Sequence, residues 1–274
     1  MHVSSQLKFE AFLTQYLTDE AARGSSVLDI GSAAYIGHTT YRTSAEKRGL
    51  RYVGLDMQAG HNVDIVSANP VVYAEVPTES HDLIVSGQTF EHNPFFWVSF
   101  CEMARILKPG GRMLVIAPSA GEVHRYPFDC WRYYPDSWMA LCAIAGLELE
   151  EVMFEPDEHV GKVNGSWWRD SCVIARKPVF GSDAEAARFY ERIGRFTAPF
   201  TAERFELTIV EPNEGPVFAR YADVVQRRAA VKMRKAARAE AAREKAARIA
   251  ARMEAKAARI AARAEARAVQ TAEA

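Results

Sequence analysis

Val27-Leu28-Asp29-Ile30-Gly31-Ser32 (VLDIGS, residues 27–32) decides how this chain is read: an apolar run broken by one acid stops abruptly on a glycine. A run that short, bounded by a turn signal, predicts a buried strand over residues 26–30 rather than a helix. The glycine leaves bare backbone at the strand's carboxyl end, where a ligand can lie close. A helix start beyond it would offer N–H groups to a carboxylate. Outward from this point, residues 51–56 (RYVGLD) predict a second strand closing on Asp56. In doubly wound nucleotide-binding folds an acid about 20 residues past the glycine turn accepts hydrogen bonds from a ribose diol.

Further strands are predicted at 62–66, 81–86 (HDLIVS), 112–117 (RMLVIA), 147–154 and 171–176, the fifth introduced by a turn at Lys108-Pro109-Gly110-Gly111. Helical spacing marks residues 5–22, 96–107 and 138–145, with Gly24 and Gly146 as stops. Strands alternating with helices predict an α/β fold with a mostly parallel sheet covered on both faces. Residues 179–221 are poorly defined, with a short helix around 184–193 and a strand-like stretch at 205–210.

The net charge of −1 hides an asymmetry. From Ala222 to Ala274 the chain carries 14 Lys/Arg against 6 Asp/Glu, or +8, which leaves −9 on the rest. This tail has no Gly or Pro, and AARIAARMEAK (246–256) is followed at once by AARIAARAEAR (257–267), an 11-residue repeat with two mismatches. Alanine and arginine favour helix, and an 11-residue period is about 3.67 residues per turn, close to a straight helix. Such a helix stands as a solvated rod or coiled coil, or associates along the thin apolar line Ile249, Met253, Ile260. Nucleic-acid binding ranks last, because the tail lacks aromatics for base stacking. The four cysteines show no CxxC pair, and the scattered histidines and carboxylates show no metal-site spacing. No leader pattern and no apolar run of about 18 residues is found, so the expectation is a cytoplasmic chain without a membrane span.

VLDIGS, then DLIVS (82–86) with Phe90-Glu91-His92, then RILKPGGRMLVIAP (105–118) occur in an order and spacing that resemble the class I S-adenosylmethionine-dependent methyltransferases, in particular the methyltransferase type 11 group. The resemblance covers residues 20–178. It implies a doubly wound, seven-stranded Rossmann-like sheet over a domain at 1–178. The extension at 179–221 and a long C-terminal Ala/Arg-rich helix at 222–274 follow it. It further implies S-adenosyl-L-methionine as cofactor. Asp29, Gly31 and Ser32 would cradle its methionine part, Asp56 and Met57 would meet the ribose, and Ser86 and Gln88 would pass beside it. The acid expected after the third strand aligns with Ala68, leaving Asn69 as a substitute; the later glycines of the first loop align with Ala33 and Tyr35, and Gly37 comes afterwards.

Methyl transfer needs alignment and, for a hydroxyl acceptor, a base. His92 and His124 each stand just beyond a strand's carboxyl end, where open α/β sheets build their sites. His124 lies in the polar-aromatic loop GEVHRYPFD (121–129), with Asp129 as an orienting partner. Trp131, Tyr133 and Tyr134 either form a stacking wall or pack beneath the loop. The reading is O-methylation of a small molecule or saccharide, with self-association or a partner protein served by the tail. An inactive scaffold that presents the long helix, or an RNA methyltransferase aided by the basic tail, are the alternatives.

Overall fold

The computed structural model describes residues 2–34, 38–202, 205, 207–209, 212 and 215–272, without the side chains of 246, 249–251 and 255–272. It comprises two compact units, Met1–Leu207 and Thr208–Ala274.

In the first unit seven strands form one sheet. They are β1 (Ser26–Ile30), β2 (Arg51–Asp56), β3 (Ile65–Val66), β4 (His81–Gly87), β5 (Leu107–Pro118), β6 (Glu148–Phe154) and β7 (Asp170–Arg176). Their order is β3-β2-β1-β4-β5-β7-β6, parallel except that β7 runs against both β5 and β6. Every residue of β1 is buried, as expected of a central strand covered on both faces, so Asp29 is the one charged group in an otherwise covered run. The order reverses between β1 and β4, and the crevice outside their carboxyl ends is where such sheets hold ligands.

Two apolar layers flank the sheet. On one face α1 (Val3–Tyr16) and α3 (Tyr41–Lys47) bury Phe9, Phe12, Leu13 and Tyr41 against Val27, Val85 and Ile116. On the other, α4 (Phe96–Ile106), α5 (Pro135–Ala145) and α6 (Asp183–Ala202) bury Phe100, Met103, Trp138, Phe189 and Ile193 against Leu28, Ile84 and Val115.

Several expectations change in detail, among them the strand expected at 62–66, which shortens to Ile65–Val66. The helix expected over 5–22 breaks at Leu17–Thr18, because Thr18 caps a separate short helix α2 (Asp19–Ala22), its Oγ1 accepting from the Ala21 N–H at 3.2 Å. The turn at 108–111 is a bulge inside β5. Gly110 takes the left-handed φ of +79°, and its N–H donates to Lys177 O at 2.9 Å, so the end of β7 holds the irregularity in the sheet. Finally, residues 179–221 contain the 20-residue α6. The sequence understates it because only Phe189, Ile193 and Thr197 are buried and Pro199 lies inside it. Beyond it Phe205 and Leu207–Ile209 carry no strand, while residues 206 and 210 lie outside the described residues.

The second unit holds α7 (Pro216–Ala272). Met253 is exposed, and the side chains of Ile249 and Ile260 lie outside the described residues. Among the described residues no helix is long and apolar enough to cross a membrane.

Candidate functional site

At the carboxyl end of β1, Gly31 turns with φ +82°, and the N–H groups of Gly31 and Ser32 both donate to Leu55 O (2.9 and 3.1 Å), which ties the turn to β2. A Cβ at Gly31 would run into the Thr89 side chain, so the bare backbone is a spatial requirement as well as a conformational one. Asp29 is fully buried and accepts from the Tyr52 hydroxyl. Burial pushes its carboxyl up to about 7, with the Tyr52 hydrogen bond pulling the other way. The Tyr52 oxygen in turn accepts from Asn62 Nδ2 (2.8 Å), which also donates to Ser32 O (2.9 Å). Arg42 Nε donates to Asn62 Oδ1 (2.9 Å), and its guanidinium stacks over the Tyr52 ring at 4.3 Å. Sequence reasoning missed Tyr52, Asn62 and Arg42, since nothing in their spacing links them to Asp29.

Asp56 ends β2 with its carboxylate accepting from the N–H groups of Ala33 (3.0 Å) and Gln58 (3.4 Å), and it is only partly buried. Met57 beside it is exposed, while Ser32 is buried with no partner for its Oγ among the described residues. These five positions stand together across the ends of β1 and β2. The remaining expected cofactor residues are engaged elsewhere. Ser86 Oγ donates to Ile30 O at 2.8 Å, locking β4 to β1. Gln88, at φ +58°, donates from Nε2 to Asp170 Oδ1 at 2.9 Å. Asn69 Oδ1 accepts from the Val71 and Val72 N–H groups, and its Nδ2 donates to Phe200 O, so its amide closes a turn and latches the end of α6. Tyr35 and Gly37 lie outside the described residues.

A second cluster stands beyond β4 and β5. Phe90-Glu91-His92 form a single 3-10 turn, and the loop at 119–134 folds over it. His92 Nδ1 meets Phe128 O at 2.6 Å, so that nitrogen carries the proton, and its Nε2 faces Glu91 Oε1 at 3.6 Å. Burial holds His92 below the ordinary imidazole range, against the Phe128 hydrogen bond. The Glu91 side chain is wholly buried, neither of its oxygens has a partner among the described residues, and burial pushes its carboxyl up to about 8.

The His124 ring stands 4.8 Å from that of His92. Asp129 holds His124 in place, accepting from its backbone N–H at 2.7 Å and standing 3.3 Å from Nδ1. Although burial of Asp129 opposes ionisation, the two-pronged contact with Arg132 (2.6 and 2.8 Å) keeps its carboxyl below the usual range. Trp168 lies against His124 at 4.4 Å and Tyr126 stands 5.6 Å from His92, forming an aromatic hood. Tyr133, by contrast, packs beneath: it stacks on Trp138 at 4.9 Å and donates its hydroxyl to Phe90 O. Trp131 leans on Phe96, and Tyr134 is exposed.

Comparison with known proteins places residues 28–115 against the family model of a methyltransferase domain. An uncharacterized methyltransferase of Mycobacterium avium (strain 104) is 30% identical over 105 residues, 34% of this chain and 39% of that protein. One from Mycolicibacterium paratuberculosis is matched to the same extent over 38% of its length. The chain thus spans about two fifths of the curated relatives it matches. Among solved structures, the 1,6-didemethyltoxoflavin-N1-methyltransferase of Burkholderia thailandensis is similar at 16% identity and a TM-score of 0.48, covering 64% of this chain and 79% of that one. A SAM-dependent methyltransferase from Aquifex aeolicus gives 18% and 0.42, over 62% and 97%.

Proposed function

From a chain whose residues 28–115 belong to the methyltransferase-domain family, we infer an S-adenosylmethionine-dependent methyltransferase acting on a hydroxyl of a small molecule or saccharide. The observation that carries this is the turn after β1. Gly31 is held bare against Thr89, Asp29 is buried beneath it, and Asp56 stands at the neighbouring strand end with a partly open carboxylate. What fits the cofactor is the buried Ser32 Oγ, which has no hydrogen-bond partner among the described residues, beside the partly open Asp56 carboxylate.

When bound, the cofactor supplies an electrophilic methyl group on a sulfonium. The chain's own residues position and deprotonate. Gly31 and Ser32 let the methionine part lie on backbone, and Asp56 accepts from the ribose hydroxyls. His124, held by Asp129, takes the acceptor's proton through the nitrogen that Asp129 leaves free. The bound cofactor would offer its methyl carbon to the acceptor oxygen, and the His124 imidazole would hold the proton that this oxygen gives up. His92 lines the same position, and Tyr126 with Trp168 offers a hood against which a ring or sugar face can rest.

Replacing Asp56 by Ala should weaken binding of S-adenosylhomocysteine by about 1–3 kcal/mol, the scale of hydrogen bonds to a charged group. Titration calorimetry reads this directly, and unchanged affinity in a folded variant removes Asp56 from the site. The scaffold reading draws on one observation: the amides of Gln88 and Asn69 are engaged within the protein. Absence of any S-adenosylhomocysteine binding by the full chain would decide for it.

The tail serves assembly in this reading. Deleting residues 222–274 should leave the remaining protein folded by circular dichroism, with cofactor affinity unchanged and self-association altered. Lost cofactor binding in the truncated chain would defeat that division.

A further inference from the structure

Glu91, His92 and His124 each bring one ligand atom within 4.8 Å of the other two. We propose that this trio is a binding site for one divalent transition-metal ion, zinc-like in its preference, held by the Glu91 carboxylate and the Nε2 atoms of both histidines. The proposal stands apart from the methyl-transfer reading, since it concerns binding of an ion in the absence of cofactor and acceptor.

Each ring is turned for ligation by its other nitrogen. His92 Nδ1 is tied to the Phe128 carbonyl at 2.6 Å, and His124 Nδ1 lies 3.3 Å from both Asp129 Oδ2 and Glu122 O. Metal-binding imidazoles are held in this way, the distal N–H directed to a carbonyl or carboxylate so that the ring nitrogen facing the ion keeps its lone pair. Asp129 is itself fixed by Arg132, so the outer support of His124 is rigid. The third ligand is the most telling. Glu91 is wholly buried, and neither carboxylate oxygen has a hydrogen-bond partner among the described residues, His92 Nε2 standing 3.6 Å from Oε1. Buried polar atoms are nearly always paired, and an exception calls for a ligand.

Two imidazoles and one carboxylate form a donor set suited to zinc, iron or manganese rather than magnesium or calcium. Ligand atoms around a tetrahedral ion at about 2.0–2.2 Å stand roughly 3.3 Å apart. The trio therefore has to contract by up to about 1.5 Å at its widest edge to close around an ion. Three protein ligands leave a fourth position open. His92 and His124 are 13% and 27% exposed, and the rings of Tyr126 and Trp168 stand beside them.

The full chain, stripped with a chelator, is titrated with Zn²⁺ against a chromophoric competitor and with Co²⁺ followed by its visible ligand-field bands. One equivalent should bind. His92→Gln (which keeps a donor for Phe128 O) and His124→Ala should each weaken binding at least tenfold, as should Glu91→Gln. His2→Ala, which removes an imidazole outside the trio, 6.3 Å from the Trp168 ring, should leave the one-equivalent binding in place. Affinity for S-adenosylhomocysteine and the circular dichroism spectrum, read on the same samples, show that a variant is folded and test the methyltransferase reading separately. Should the chain bind no equivalent, or should the bound ion survive in the His92→Gln/His124→Ala double variant, the site is refuted. Should Asp129→Asn weaken the ion severalfold with the fold intact, the support assigned to His124 stands; no effect would overturn that part.

Discussion

Replacing His124 by Ala should cut turnover about 10²–10⁴-fold, the usual worth of a positioned proton acceptor, while S-adenosylhomocysteine binds as in the wild type. The measurement is release of S-adenosylhomocysteine across a panel of hydroxylated acceptors. The expected split follows from placement: His124 belongs to the loop beyond β5, whereas Asp29, Gly31 and Asp56 stand at the ends of β1 and β2. Asp129→Asn should have a smaller effect. It keeps the side chain's volume but loses the charge that orients His124 and pairs with Arg132. If His124→Ala retains full turnover while His92→Ala abolishes it, proton acceptance belongs to His92. If both retain it, neither histidine serves the reaction.

The largest stability effect is expected at Trp138. Its side chain is wholly buried in the layer of α4, α5 and α6, stacked on Tyr133 at an interplanar angle of 11°, with its indole N–H donating to Ser171 Oγ at 2.7 Å. Trp138→Ala removes that packing and leaves Ser171 without its donor, so urea denaturation should show a loss of about 3–5 kcal/mol. Trp138→Phe refills most of the volume and should recover a large part of it. A cost below about 1 kcal/mol for the alanine variant, well under the usual range for such a truncation, would mean that α5 does not anchor this side of the sheet. Because Tyr133 ends the loop that carries His124, the alanine variant should also loosen acceptor binding before it disturbs the cofactor end.

Strand positions were readable because a central parallel strand cannot hide: SVLDI, RYVGLD and HDLIVS are short apolar runs with hard stops, and each is a strand with nearly those bounds. The seven-stranded, mostly parallel sheet and the long terminal helix follow the same logic. What escaped depends on contacts across distance. Lys108–Gly111 reads as a turn by composition, yet β7 captures it as a bulge. Residues of α6 look too polar and too close to a proline to form a packed helix, and only the placement of Phe189 and Ile193 against the core reveals it. In the site, Glu91 and His92 are neighbours in sequence, but His124 joins them only through the fold of the loop. Likewise no spacing rule announces that the Gln88 amide turns to Asp170, or that Tyr52 supports Asp29.

The loop bearing His124 begins and ends almost at the same place. The N–H groups of Ser119 and Ala120 donate to Trp168 O at its start, and the Tyr133 N–H returns to Pro118 O at its finish. Closing such an excursion costs entropy that grows only slowly with its length, by about 0.6 kcal/mol per doubling. A change in its length therefore costs little in closure and leaves the register of β5 and β7 as it is. On the proposed reading, the contacts to the acceptor and the proton acceptor itself are thus carried by one cassette between Ser119 and Tyr133, separate in the chain from the ends of β1 and β2.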